Sequence, residues 1–240
     1  MASERPVAMI SGASRGLGFE CARQLGVAGL RVVLTARDGI KGKAAADKLQ
    51  SEGLDVACYP LDVTREESRT GLMRQLAERY GQLDVLVNNA APPLAPASDA
   101  GRDVRLLDAG PDPVREGMEV SLYGPLRLAQ LAVPLMRRRG GGRIVNISSP
   151  LARSGDMRGG YPAHRLSRSA LDTLTRILAV ELRGENILVN AADPGWIGPD
   201  AGGGPTRSRG DAAADVVRLA TLADDGATGA LYQDGAQIPW

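Results

Sequence analysis

Val7-Ala8-Met9-Ile10-Ser11-Gly12-Ala13-Ser14-Arg15-Gly16-Leu17-Gly18 is the stretch that decides the fold. Its first four residues are an apolar run of strand type. Leu17, Cys21 and Leu25 then recur at helical spacing on one stripe. A strand, a glycine-rich turn and a helix start together make a phosphate cradle. The glycines let the backbone approach a pyrophosphate, and the helix N-terminus aims N–H groups and a positive dipole at it. Gly12, Ser14, Arg15, Gly16, Leu17 and Gly18 are therefore expected to bind a dinucleotide, with spacing G-x-x-x-G-x-G.

The rest of the chain repeats the alternation. After the first helix, which is expected to end near Ala28, Arg31 to Thr35 reads as a strand, Lys41 to Glu52 as a helix and Val56 to Tyr59 as a strand. Arg65 to Tyr80 is helical and Leu83 to Asn88 a buried strand. Ala90 to Pro113, rich in Ala, Pro, Asp and Gly, breaks the rhythm and reads either as a substrate wall or as a surface excursion. One helix is expected over Val114 to Arg138, a strand over Arg143 to Ile147, and a helix from Pro162 to Leu182. Ile187 to Asn190 is the sixth strand, Ala201 to Gly210 a flexible flap, Asp211 to Leu222 the last helix, and Ala230 to Tyr232 a short final strand. Alternating strands and helices predict an α/β fold: a Rossmann-type doubly wound parallel sheet in a single domain, with its ligand crevice at the carboxyl ends of the strands.

Composition sets the outer limits. The 240 residues are 43% hydrophobic, enough for one full core. Lys plus Arg (29) and Asp plus Glu (28) nearly cancel, so no nucleic acid or acidic membrane is expected as a partner. The sequence shows no signal peptide and no apolar run of spanning length. Cys21 and Cys58 sit in apolar stretches and read as buried free thiols, in keeping with a cytoplasmic protein. One His and two Cys do not build a zinc site, so no metal is expected. With aromatics at 3% and 30 glycines, the interior must pack small side chains closely.

Ser11-Gly12-x-x-x-Gly16-x-Gly18 resembles the T-G-x-x-x-G-x-G loop of the short-chain dehydrogenase/reductase family, with Ser11 where Thr is usual. The resemblance covers nearly the whole chain. It is nearest to the carbonyl-reductase branch through Leu34 to Asp38, Leu83 to Ala90 and Asn190 to Trp196. It implies NADP(H): Arg37, ending the second strand, and Arg15 would grip a 2′-phosphate where an acidic residue would hold a 2′-hydroxyl. Two solvated surface arginines are the alternative. By the same resemblance Asp62 and Val63 bracket the adenine, Asn89 and Ala90 lie along the cofactor, and Pro194, Gly195 and Ile197 face the nicotinamide. Asn88 ties adjacent strand ends, and Ala91 stands where the family has Gly.

The family's catalytic set is Asn, Ser, Tyr and Lys, with Tyr and Lys one helical turn apart. Two registers compete here: Tyr161 with Arg165, and His164 with Arg168. The family's spacing from Lys to Pro-Gly matches Arg168 to Pro194, and Ser169-Ala170-Leu171 matches the small residues after Lys. That favours His164 at the Tyr position and Arg168 at the Lys position, also bearing on the cofactor ribose, with Tyr161 near the mouth of the site. Ser121 stands at the Asn position, Ser149 at the Ser position, and Pro199 where a Thr usually bonds the carboxamide.

These substitutions retain the cofactor half and rewrite the proton-transfer half. A neutral His164 beside Arg168 is a poor acid for an alkoxide, whereas hydride addition to an iminium needs no proton. Its ketone activity is expected to rise as pH falls toward the imidazole pKa. The leading expectation is an NADPH-dependent reductase of a small carbonyl, imine or iminium substrate. A cyclase, dehydratase or isomerase using His164, Ser149 and Tyr161, and a catalytically silent NADP(H)-binding protein, stay open; so does a His164 that is merely a polar helix residue. The resemblance also implies a homodimer or homotetramer, paired through the two long helices by Ala170, Leu174, Ile177 and Leu178.

Overall fold

The computed structural model describes residues 5–92, 105–153, 155, 157, 159–197 and 207–240. Successive residues of the first strand, β1 (Val7–Ile10), show why two layers form around it. Val7 and Met9 enter one hydrophobic core, and Ala8 and Ile10 enter the other. A strand buried on both faces requires helices on both. The flanking helices are α1 (Gly16–Val27), α2 (Gly39–Ser51), α3 (Glu66–Tyr80), α4 (Pro111–Met118), α5 (Gly124–Arg139), α6 (Pro162–Glu181) and α7 (Arg209–Ala220). The remaining strands are β2 (Arg31–Ala36), β3 (Val56–Pro60), β4 (Val85–Asn88), β5 (Gly142–Ile147), β6 (Ile187–Ala192), β7 (Leu231–Gln233) and β8 (Ala236–Ile238). Their order in the sheet is β3-β2-β1-β4-β5-β6-β7-β8. The pairings are parallel from β3 through β7, as expected for right-handed crossovers. The order reverses between β1 and β4, which opens the crevice at their carboxyl ends.

Three local features differ from the sequence expectation. The single helix expected over Val114 to Arg138 starts at Pro111, inside the segment assigned to the excursion, and is interrupted by a π turn at Glu119–Tyr123. Pro125 has no N–H to offer the Ser121 carbonyl, and Gly124 N–H reaches back to the Glu119 carbonyl instead, widening the turn. β8 is an antiparallel edge strand that the sequence reading omitted. Asp234 and Gly235, at φ 52° and 74°, turn the chain tightly between β7 and β8. Helix α2 begins at Gly39, not Lys41, because Asp38 caps it by accepting from Ile40 N (3.0 Å) and Lys41 N (3.1 Å).

Smaller shifts follow the same logic of caps and pairing. β6 runs two residues beyond Asn190, paired to β5 and β7. Helix α7 starts at Arg209 behind the Ser208 cap, which shortens the expected flap. Most of that flap, Pro199, and the middle of the Ala90 to Pro113 segment lie outside the described residues. Cys21 is buried, but Cys58 is only half-buried, with its sulfur against Gly42 of α2. No described helix is long and apolar enough to cross a membrane.

Candidate active site

The glycine loop is held from behind by the end of β4. Ser11 Oγ accepts from Asn89 N and Ala90 N, both at 3.0 Å. The Asn89 amide donates to the carbonyls of Ser11 and Gly12, both at 2.9 Å. Asn89 therefore shapes the loop from within. A Cβ at Gly18 would collide with that amide, which accounts for glycine there. Gly16 sits at φ 64° with open space where its Cβ would be. Helix α1 begins there without a side-chain cap, whereas Asp38 and Ser208 cap α2 and α7. Its first N–H groups are thus left for an anion, and Ser14, Arg15 and Leu17 belong to the same turn.

Arg37 and Arg15 are both exposed, Arg37 immediately beyond β2. Beyond β3, burial works against the charge of Asp62. Hydrogen bonds from Thr64 N (3.0 Å) and Thr64 Oγ1 (2.7 Å), and then the Arg37 charge, outweigh it and hold the carboxyl below its ordinary range. Val63 is clamped on two sides. The buried Arg69 donates to its carbonyl at 2.6 Å, and a Cβ at Gly124 would lie 2.9 Å from the same oxygen. Nothing in the sequence reading had marked Arg69.

The rewritten residues gather at one end of α6, which packs against both the π turn and the short 3₁₀ turn Pro150–Ala152. Gly117 permits the approach of α4, since a Cβ there would lie 3.0 Å from the Ala163 carbonyl oxygen. Ser121 is completely buried in the π turn, and its Oγ has no hydrogen-bond partner among the described residues. Ser149 caps the 3₁₀ turn by accepting from Leu151 N at 3.2 Å, which leaves its own proton to donate. His164 and Arg168 are both buried on α6, with His164 Nδ1 and Arg168 Nε without a partner among the described residues. Arg168 Nη1 donates to the Ile147 carbonyl at the end of β5.

Burial is the largest force on His164, ahead of the charges of Arg168 and Arg165, and it pushes the imidazole down to about 3. The sequence reading had assigned that shift to Arg168; the buried position supplies the larger part. The competing pair sits differently. Tyr161 is not within the helix but at its N-cap, in left-handed backbone at φ 51°. Arg165 is committed to loop carbonyls, donating to Gly160 O at 3.0 Å and Leu151 O at 2.9 Å.

Asn88 ties the strand ends as expected: its amide donates to Asn146 Oδ1 at 2.8 Å, and Asn146 donates to Thr175 Oγ1 at 2.8 Å. Asp193, unmarked in the sequence, organises the next turn. It is fully buried, takes Arg153 Nε and Nη2 at 2.8 and 2.6 Å, and accepts from Gly195 N at 2.8 Å. Pro194 and Gly195 are thereby fixed at the end of β6, and Ile197 packs against the core beside them.

A parallel sheet doubly wound by helices, with an uncapped helix N-terminus over its switch point, defines a dinucleotide-type α/β protein. The chain belongs to the short-chain dehydrogenase family, whose profile, described as short chain dehydrogenase, matches residues 6–206, and it is an oxidoreductase of that family. It is similar to carbonyl reductase [NADPH] 1 of Mus musculus, 31% identical over 100% of both chains. It is also similar to short-chain dehydrogenase anuI of Penicillium roqueforti, 32% identical over 90% of this chain and 89% of the relative. Among solved structures, a metagenomic short-chain oxidoreductase in complex with NADP superposes with a TM-score of 0.78 at 30% identity, covering 93% of each chain. A gluconate 5-dehydrogenase from Burkholderia cenocepacia shares the fold at a TM-score of 0.84 and 24% identity, covering 96% of this chain and 94% of its own.

Proposed function

We propose that residues 1–240 form one NADP(H)-binding domain that reduces a small imine or iminium substrate in preference to a carbonyl compound. The observation that carries the substrate preference is the buried His164, whose imidazole is neutral at any physiological pH. Bound NADPH supplies a hydride. A hydride added to a ketone carbon leaves an alkoxide that must find a proton, and a neutral imidazole flanked by two arginines is a poor acid. A hydride added to an iminium carbon moves the π pair onto nitrogen and gives a neutral amine with no proton required. Lost general acid catalysis costs about 10²–10⁴ in rate, which falls on a ketone and spares an imine that enters already protonated as the iminium.

The cofactor half fits that use. The uncapped start of α1 at Gly16, with Gly12, Ser14, Leu17 and Gly18, takes the pyrophosphate. Arg15 and Arg37 take the 2′-phosphate, and Asp62 and Val63 border the adenine. Asn89 and Ala90 support the inner edge. Pro194, Gly195 and Ile197 border the nicotinamide, and Arg168 its ribose. Ser149 donates to the substrate nitrogen or oxygen, Ser121 lines the floor, and Tyr161 stands at the mouth. Carbonyl reductase [NADPH] 1 and the NADP-bound oxidoreductase support the choice of cofactor.

The same reading has the protein act in the cytoplasm as a homodimer or homotetramer. The free thiols of Cys21 and Cys58 support a reducing compartment. Exposed Tyr123, Leu166, Ile177 and Val180 along α6 and the π turn support self-association. Leu174 and Leu178, expected on that face, point into the chain's own core.

The test is oxidation of NADPH with cyclic imines and with ketones of matched shape at pH 7. Imine turnover exceeding ketone turnover by about 10²-fold or more is expected. Equal rates, or no oxidation with either class, overturn the substrate reading.

A further inference from the structure

We infer that Asp172 is a positioning residue that supplies the negative charge against which this site accepts a cation, acting through Arg168. The inference rests on the proposed placement of Arg168 at the nicotinamide ribose. Asp172 follows Arg168 by one turn on the buried face of α6. Both side chains are buried, and each leaves a polar atom unmatched among the described residues: Arg168 Nε and Asp172 Oδ1. The guanidinium is drawn away to the Ile147 carbonyl, and Ser148 Oγ, close beside Asp172, makes no well-formed hydrogen bond. A buried carboxylate with one oxygen unmatched is costly in its charged form, a cost that Arg168 and Ser148 only partly offset.

The surrounding charges can be summed. On α6, Arg168 faces Asp172; from the end of β6, Asp193 does, and the Arg153 ion pair cancels Asp193. Arg165 turns to the loop carbonyls, and His164 is neutral. With Asp172 ionised the charges that face it sum to zero, and with Asp172 protonated they leave one positive charge; Arg165 keeps its own charge and adds equally to both states. Burial is the largest influence on the carboxyl; Ser148 and Arg168 oppose it, Asp193 adds to it, and the result stands at about 7.

A positive cluster repels both an iminium and an oxidised nicotinamide ring, which is itself a cation. A neutral cluster tolerates both. Hydride transfer moves a positive charge from substrate to cofactor within this site, so the counter-charge is needed on both sides of the reaction. Asp172 thus defines the substrate class as cationic and ties it to the ionised state of one carboxyl.

The readout is the ratio of NADP⁺ to NADPH affinity, measured by calorimetry at pH 6 and pH 8. Both forms carry the same 2′-phosphate, so its titration cancels. For the unaltered protein, NADP⁺ is expected to lose about tenfold relative to NADPH between pH 8 and pH 6. Asp172→Asn is expected to show the low ratio at both pH values, and Asp172→Glu to keep the pH response. Asp172→Asn combined with Arg168→Met should restore the high ratio at pH 8, which a merely structural role does not predict. A pH-independent ratio in the unaltered protein, or an unchanged ratio in Asp172→Asn, overturns this inference while leaving the cofactor reading intact. Failure of NADPH to bind at all overturns both.

Discussion

His164 and Arg168 lie one helical turn apart on α6, both buried, each with a ring or guanidinium nitrogen that meets no partner among the described residues. The pair stands next to the end of β5, where Arg168 grips the Ile147 carbonyl. Burial keeps the imidazole neutral, and the neighbouring guanidinium reinforces this.

The first prediction is a pH signature of stability. His164 drops from 6.5 unfolded to about 3 folded, so below pH 6.5 the unfolded chain binds a proton that the native one refuses. Its contribution is present above pH 6.5 and is lost as pH falls toward 3, at up to about 1.4 kcal/mol per unit. Asp172 runs the other way: raised from 3.8 to about 7, the native carboxyl keeps a proton that the unfolded one releases. Its contribution grows as pH falls from 7 toward 4. Urea midpoints at pH 7 and pH 5 should therefore move His164→Gln up relative to the unaltered protein and Asp172→Asn down. Movement of both in one direction contradicts the assignment.

The second concerns the register. Tyr161→Phe and His164→Ala should each leave most iminium turnover in place, since that step takes no proton from either side chain. His164→Tyr with Arg168→Lys and Ser121→Asn should raise ketone reduction by supplying a phenolic acid. Because His164 stands at about 3, any change in ketone reduction by the unaltered protein between pH 8 and pH 5 should follow Asp172 and persist in His164→Gln, with no rise owed to the imidazole. A Tyr161→Phe variant that is dead beside an active His164→Ala variant would place the acid at Tyr161.

The third concerns cofactor choice. Arg15 and Arg37 are exposed at the glycine loop and beyond β2, where a 2′-phosphate is read. Removing one charge-assisted phosphate contact costs roughly 1.5–3 kcal/mol, or about tenfold or more. Arg37→Asp should lose NADPH affinity by that factor and gain NADH. Calorimetry showing unchanged NADPH affinity would refute the role.

The fourth concerns Arg69. Its guanidinium holds the Val63 carbonyl and Glu66, and Glu66 also takes Arg127 of α5 at 2.8 Å. Arg69→Met leaves the carbonyl without that donor, at a cost of about 1–3 kcal/mol. The denaturation midpoint should fall, and affinity for adenosine 2′,5′-bisphosphate should fall with it. A variant with both unchanged would show that Gly124 and the turn's own bonds hold Val63 unaided.

The fifth concerns assembly. Ile177 and Val180 are 49% and 62% exposed on α6, and Tyr123 is 48% exposed at the end of the π turn. Light scattering at tens of micromolar should give a dimer or larger for the unaltered protein and a monomer for Ile177→Glu with Val180→Glu. A monomeric mass before substitution removes the expectation.

Much of the architecture was readable in advance because it is local. The apolar run at Val7–Ile10, the glycines after it and the helical stripe of Leu17, Cys21 and Leu25 carry their geometry in neighbouring residues, and backbone sterics then dictate strand, turn and helix. The doubly wound parallel arrangement followed from the alternation of strands and helices and the handedness of crossovers, while the order of the strands came from the structure. The Asp234-Gly235 hairpin was equally local and was overlooked. Ionisation was a different matter. The direction of the His164 shift was foreseen, but its size came from burial, which depends on α4, the π turn and β5 closing around one end of α6. Arg69 on Val63, Arg153 on Asp193 and Arg168 on Ile147 join residues from separate elements, and no spacing in the chain announces them. Desolvation and long-range pairing are properties of the packed volume, so the charge state of the site was decided only when the tertiary structure had excluded water from it.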